Sequence, residues 1–175
     1  MLELLLLRHA KSRWDEPGTQ DRERELAPRG ELAAARMGRL IRERGLRPEL
    51  VLCSTARRAV ATWRLAAAEL GEPPPLQYDD GLYLASPDRI VEVIAARGEG
   101  ASRVLVVGHD PGMHKLAVRL AVTGEQTPRS TLAAKFPTAG LALIVFATDD
   151  WRQLSTQGGE LRGFWRPREL GATLG

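Results

Sequence analysis

Leu4–Leu5–Leu6–Leu7–Arg8–His9 opens the chain with four consecutive leucines that stop abruptly at two basic side chains. A run this short and this uniformly apolar reads as a strand buried on both faces. Such strands belong to parallel sheets covered by helices. Val104–Leu105–Val106–Val107, followed by Gly108–His109, repeats the pattern 100 positions later. A third run, Leu50–Val51–Leu52–Cys53, leads into Ser54 and then Arg57–Arg58.

Helical signals fill the gaps between these runs. Pro28–Arg29–Gly30 precedes an alanine-rich helix ending near Gly45, with Leu32, Ala35, Met37, Leu40 and Ile41 mainly on one face. Ser54 reads as the cap of a helix from about Thr55 to Leu70. Leu76–Tyr78 reads as a short strand. Ser86–Pro87–Asp88 starts a helix to about Ala96, with Ser capping, Pro in the first turn and Asp at the positive end of the dipole. Pro111 to about Val122 reads as helical. Leu141–Phe146 and Gln153–Thr156 flank Thr148–Asp149–Asp150–Trp151 and read as a terminal hairpin. Residues 13–25 are polar, contain Pro17–Gly18, and read as a long loop.

Strands alternating with helices imply an α/β three-layer sandwich with a mostly parallel central sheet, here with a C-terminal antiparallel hairpin. The 175 residues suit a single domain spanning 1–175. Hydrophobic residues at 43% and charged residues at 27% exclude a disordered chain. No apolar run approaches the roughly 20 residues of a membrane helix, and Leu4–Leu7 lacks the basic lead and length of a signal peptide. The expectation is a cytoplasmic protein with no membrane partner. The single cysteine, Cys53, excludes a disulfide framework or a multi-thiolate zinc site within the chain, and its apolar run predicts a buried thiol.

The net charge is +3, carried by 22 arginines and 3 lysines. Nucleic acid is nevertheless not the expected partner. The arginines are scattered and interleaved with acids, as in Asp21–Arg22–Glu23–Arg24–Glu25, a pattern of solvated surface rather than of a phosphate-tracking stripe.

In open α/β sheets, ligands bind beyond the carboxyl ends of the strands. That rule brings Arg8, His9, Arg58 and His109 to one rim, as a cationic pocket with few acids nearby. Guanidinium groups are planar partners for phosphate oxygens, and a helix start beyond His109 adds N–H donors. The pocket therefore suits a phosphoryl group. A metal ion is not expected, because the cationic neighbours would repel it.

The motifs resemble those of a known family. Leu6–Leu7–Arg8–His9–Ala10–Lys11–Ser12 is similar to the Arg-His signature of the histidine phosphatase superfamily, with its phosphoglycerate mutase-like fold. Ser54–Thr55–Ala56–Arg57–Arg58–Ala59 with Thr62 resembles the second motif, and Val107–Gly108–His109–Asp110–Pro111–Gly112–Met113 the third. Leu26–Ala27–Pro28–Arg29–Gly30, Leu82–Tyr83 and Phe136–Pro137–Thr138 resemble the small SixA-like phosphohistidine phosphatase branch. The resemblance implies a phosphatase that needs no metal and no cofactor. It makes His9 the nucleophile, with Arg8, Arg58 and His109 holding the phosphoryl oxygens. Arg58 rather than Arg57 fits the motif, because it precedes Ala59. The leaving-group acid is open between Asp110, which is otherwise a helix cap ahead of Pro111, and Asp15, otherwise a solvated loop residue. Ser12 and Lys11 lie close enough to His9 in sequence to touch substrate.

A weakly supplied acid suits phosphohistidine, whose imidazole leaves with an unperturbed pKa of about 6.5, better than an alkyl phosphate. The expected partner is thus a phosphorylated protein. The alternatives are a small phosphorylated substrate handled by a phosphomonoesterase of the same fold, and a phosphate-binding module with little turnover. His114, Thr138, Trp63 and Trp165 read as structural.

Overall fold

The computed structural model describes residues 1–170. Strands β1 (Leu2–Arg8), β2 (Leu50–Cys53), β3 (Leu76–Tyr78), β4 (Arg103–Gly108), β5 (Ala121–Gly124), β6 (Leu141–Phe146) and β7 (Gly159–Trp165) form one sheet, in the order β3-β2-β4-β1-β6-β7-β5. Only β6 runs against the others, pairing antiparallel with both β1 and β7. Helices α1 (Pro28–Glu43), α2 (Arg57–Ala67) and α6 (Pro167–Leu170) lie on one side of the sheet. On the other lie α3 (Pro87–Arg97), α4 (Gly112–Leu120) and α5 (Gln126–Ala134). This is the expected three-layer α/β sandwich.

The leucine run sits at the centre of the sheet. Leu4 and Leu6 face the α3–α4–α5 layer, Leu5 and Leu7 face the α1–α2 layer, and all four are fully buried. Burying each leucine contributes about 2 kcal/mol, so this strand firmly anchors the Arg8–His9 segment at its end. β1 pairs in register with β4 from Glu3↔Arg103 to Arg8↔Gly108, which brings the ends of the two histidine-bearing strands level.

Several expectations are corrected. The antiparallel partner of β6 is Gly159–Trp165, not Gln153–Thr156. Trp151–Gln153 instead forms a single helical turn, capped by the Asp150 carboxylate accepting from the Arg152 N–H. The helix after His109 stops at Leu120, and β5 and α5 follow where no elements were expected. Leu32 is 60% exposed. The buried face of α1 is Ala34, Met37, Gly38 and Ile41, and Leu32 lies about 200° around the helix from Ala34. Ser54 does not cap α2, which starts at Arg57 behind Ala56. Ser86 does cap α3, accepting from the Arg89 N–H. Trp63 and Cys53 are buried core residues. No helix among the described residues is long and apolar enough to cross a membrane.

Candidate active site

Backbone pairing continues past the end of β1 and fixes the Arg8–His9 segment. The His9 N–H donates to Gly108 O at 3.0 Å, and Ala139 N–H donates to the His9 carbonyl at 3.1 Å. One residue on, Ala10 N–H donates to Thr62 Oγ1, whose hydroxyl donates to Arg58 O. Thr62 thus ties the turn after His9 to the first turn of α2.

The four side chains expected at one rim are there. The His9 and His109 rings lie 5.2 Å apart. An Arg58 Nη2–H donates to His109 Nδ1 at 3.2 Å, and His109 Nε2–H donates to Ser54 Oγ at 2.7 Å. Arg8 donates to Phe136 O at 2.8 Å and pairs with Asp110 at 3.4 Å. His9, Arg58 and His109 are 7%, 2% and 2% exposed. Among the described residues, three buried side-chain polar atoms have no partner, Arg8 Nε, Arg58 Nε and Asp110 Oδ1, and all three belong to this site. Buried polar groups are normally satisfied, so the concentration of exceptions here is what a binding site for a polar ligand looks like.

The protonation states follow from burial and charge. Burial, reinforced by His109, Arg58 and Arg8, depresses the His9 imidazole to about 3. Its Nδ1–H donates to the Ala10 carbonyl at 2.8 Å, and an oxygen acceptor there leaves the free lone pair on Nε2. Burial and Arg58 likewise bring His109 to about 3. Burial pushes the Asp110 carboxyl upward, against the pull of Arg8.

Residues that spacing could not place complete the site. Asp21 stands on Arg58, accepting from Nη2 at 3.1 Å through Oδ2 and from Nη1 at 2.7 Å through its backbone carbonyl. Its carboxylate also accepts from the Tyr83 hydroxyl and from Arg24. Burial pushes this carboxyl up, but those donors outweigh it and hold it at about 2. The Tyr83 ring meets His109 edge-on at 5.4 Å. The pocket is therefore less purely cationic than expected. The loop of residues 13–25 folds back over it through the Ser12↔Leu26 bridge and delivers an acid.

Of the remaining expected residues, Asp110 joins the cluster through Arg8, whereas Asp15 and Arg57 lie apart from it and Ser12 is engaged elsewhere. Asp15 is exposed and held by Arg13 at 3.2 Å. The Ser12 hydroxyl is buried and accepts from Arg24 at 2.5 Å. Asp110 makes no cap: α4 begins at Gly112, whose missing side chain is needed because a Cβ would fall 1.9 Å from Ala85 O. Arg57 is exposed and paired with Glu25. His114 Nε2–H donates to Leu132 O, a structural bond.

The profile of the histidine phosphatase superfamily (branch 1) matches residues 4–83. The uncharacterized protein Rv1276c of Mycobacterium tuberculosis is 37% identical over 164 residues, covering 93% of this chain and all of that one. A structure assigned as phosphohistidine phosphatase SixA from Agrobacterium tumefaciens superposes with a TM-score of 0.79 at 30% identity, covering 95% of this chain and 98% of that one. The chain belongs to the histidine phosphatase superfamily. Within it the chain is SixA-like: a second structure so assigned, from Nakamurella multipartitia, has a TM-score of 0.81 at 29% identity, covering 95% and 96% of the two chains.

In this SixA-like phosphatase the buried imidazoles make stability depend on pH. Both titrate at about 3 when folded, against 6.5 when free. Between those values the unfolded chain binds two protons that the folded one refuses, so stability falls as the pH drops below 6.5. Each imidazole contributes up to about 1.4 kcal/mol per pH unit in that window, and Asp110, raised by burial, offsets part of it. Urea unfolding should give about 3 kcal/mol less stability at pH 5 than at pH 7, with His9→Asn removing about half of the difference. Equal stability at the two pH values would contradict these states.

Proposed function

We propose that the chain hydrolyses protein phosphohistidine through a phosphorylated His9 intermediate. The observation that carries the covalent step is the fixed tautomer of His9, while the protein-phosphohistidine substrate is supported by the likeness to structures assigned as SixA. With Nδ1–H held by Ala10 O and protonation suppressed, Nε2 is a neutral nucleophile at pH 7. Arg8, Arg58 and His109 surround it as phosphoryl-oxygen partners.

His9 Nε2 attacks phosphorus, and the P–N bond to the substrate imidazole breaks. Its electron pair stays on the leaving nitrogen, which takes a proton. Water then attacks the phosphorylated His9, the P–Nε2 bond breaks, its pair returns to Nε2, and orthophosphate leaves. Charge on the equatorial oxygens is met by the two guanidiniums, which are already in place, so little reorganisation accompanies transfer. His109 has Nε2–H on Ser54 and Nδ1 turned toward Arg58. A bound phosphate dianion would favour protonation of Nδ1, which then donates to it.

Asp110 is the proton donor in this reading. Its carboxyl beside Arg8 is half-buried and pushed upward by that burial, and its buried Oδ1 has no partner. Those properties also favour a second reading, a small-molecule phosphomonoesterase, because a well-placed acid assists a basic alkoxide most. Asp110→Asn separates the two. Hydrolysis of an alkyl phosphate should fall about 100-fold or more, whereas hydrolysis of a phosphohistidine peptide should fall less than about tenfold, since imidazole leaves with little help. Faster wild-type kcat/KM on alkyl phosphates than on phosphohistidine peptides would overturn the protein substrate.

A further inference from the structure

Beside the His9 site lies a groove of about 310 Å³ with Lys11, Arg29, Arg36, Thr138, Arg166 and Arg168 along it, over a floor that includes Ala33 and Pro137. Its position follows from the topology. The carboxyl ends of β1 and β7 and the amino end of β6 share one rim of the sheet, and Leu141 pairs with both Leu7 and Trp165. Lys11 therefore follows His9 by two residues, Thr138 precedes the residue bonded to the His9 carbonyl, and Arg166–Arg168 leave β7 at the same edge. The amino end of α1 is clamped here as well. Ala27 N–H donates to Lys11 O, and a Cβ on Gly30 would sit 2.1 Å from that oxygen, so only glycine lets Arg29 come this close.

The groove gathers several cations along one cleft. Many surface arginines elsewhere are answered by acids, as Arg39 is by Glu69, Arg57 by Glu25, Arg89 by Glu92 and Arg119 by Asp88, although Arg44, Arg47 and Arg64 are exposed and form no ion pair with a described residue. In the groove, Arg166 is paired with Glu169, but Lys11, Arg29, Arg36 and Arg168 form no ion pair with any described residue. These four cations, with Glu169 as the neighbouring acid, concentrate positive potential next to the phosphoryl pocket.

We propose that this groove docks an acidic stretch of the phosphorylated protein, near its phosphohistidine. The inference rests on the protein-phosphohistidine reading above. A polypeptide carboxylate run fits better than a nucleic acid. The basic patch is short and bordered by paired charges, whereas binding along a phosphodiester backbone needs a continued track of cations. The groove thus selects the protein that carries the phosphoryl group, while the His9 pocket acts on the group itself.

The test compares two synthetic phosphohistidine peptides, one with glutamates flanking the histidine and one with glutamines in their place. At low ionic strength the wild type should favour the glutamate peptide by about tenfold in kcat/KM, through KM, and about 0.5 M NaCl should erase the preference. The triple variant Arg29→Glu, Arg36→Glu, Arg168→Glu should lose the preference while p-nitrophenyl phosphate turnover stays within about twofold. The wild-type comparison stands even if the triple variant misfolds. Equal turnover of the two peptides by the wild type overturns the docking groove and leaves the phosphohistidine reading intact. Hydrolysis of neither peptide, with p-nitrophenyl phosphate still consumed, removes both. A single-stranded oligonucleotide that binds more tightly than the glutamate peptide, and loses binding in the triple variant, reassigns the groove to nucleic acid.

Discussion

His9→Ala lowers kcat by about four orders of magnitude on every phosphorylated substrate, the scale on which loss of a nucleophile acts. The side chain is small enough to delete without disturbing its surroundings. Its backbone bonds to Gly108 and Ala139 do not depend on it, and Ala10 O alone loses a donor. Arg8, Arg58 and His109 all remain, so the variant should still bind orthophosphate within a few-fold of the wild type. Mass spectrometry of the wild type quenched at alkaline pH should find phosphate on His9, and none in the variant. Turnover near the wild-type rate in His9→Ala would remove the covalent mechanism. Phosphate binding by a wild type with no turnover would leave a binding module in its place.

Arg58→Ala should cost about 100- to 1000-fold in kcat/KM, and Arg58→Lys should recover little of it. The guanidinium spans three groups that a single ammonium cannot reach together: the backbone carbonyl of Asp21, its carboxylate, and His109 Nδ1. Removing it loosens the loop that carries Asp21 as well as the phosphate partner. Arg57→Ala should stay within about twofold, because that side chain is exposed and, among the described residues, pairs with Glu25 alone. Steady-state kinetics of the three variants check this, and comparable losses at Arg57 and Arg58 would contradict the geometry.

The site was legible from sequence to the extent that strand ends define it. Apolar runs that stop at Arg8–His9 and Gly108–His109 are signals of hydrophobic burial, and parallel pairing carries both to one rim. Asp21 was not legible. It sits in a polar loop whose path is set by long-range contacts, the Ser12↔Leu26 bridge and the Arg58 guanidinium, neither of which has a sequence period. Nor was Tyr83's role, because its place against His109 depends on where the turn after β3 settles. In the fold, β5 escaped because Val122 and Thr123 are exposed and the strand pairs along one edge only. β7 escaped because its inward positions begin with Gly159 and Leu161, too little apolar alternation to stand out. Serine before a helix so often caps it that Ser54 suggests a cap, whereas its hydroxyl orients His109 instead.

The strict division of Leu4 to Leu7 between two layers leaves this chain no tolerance for a length change ahead of its histidine. Inserting or deleting one residue in β1 would turn each leucine toward the opposite layer and swing the imidazole to the wrong side of the sheet. Diversification among descendants of this sequence is thereby channelled into the segments around the rim. There, residues can be gained or lost while the reacting nitrogen keeps its address.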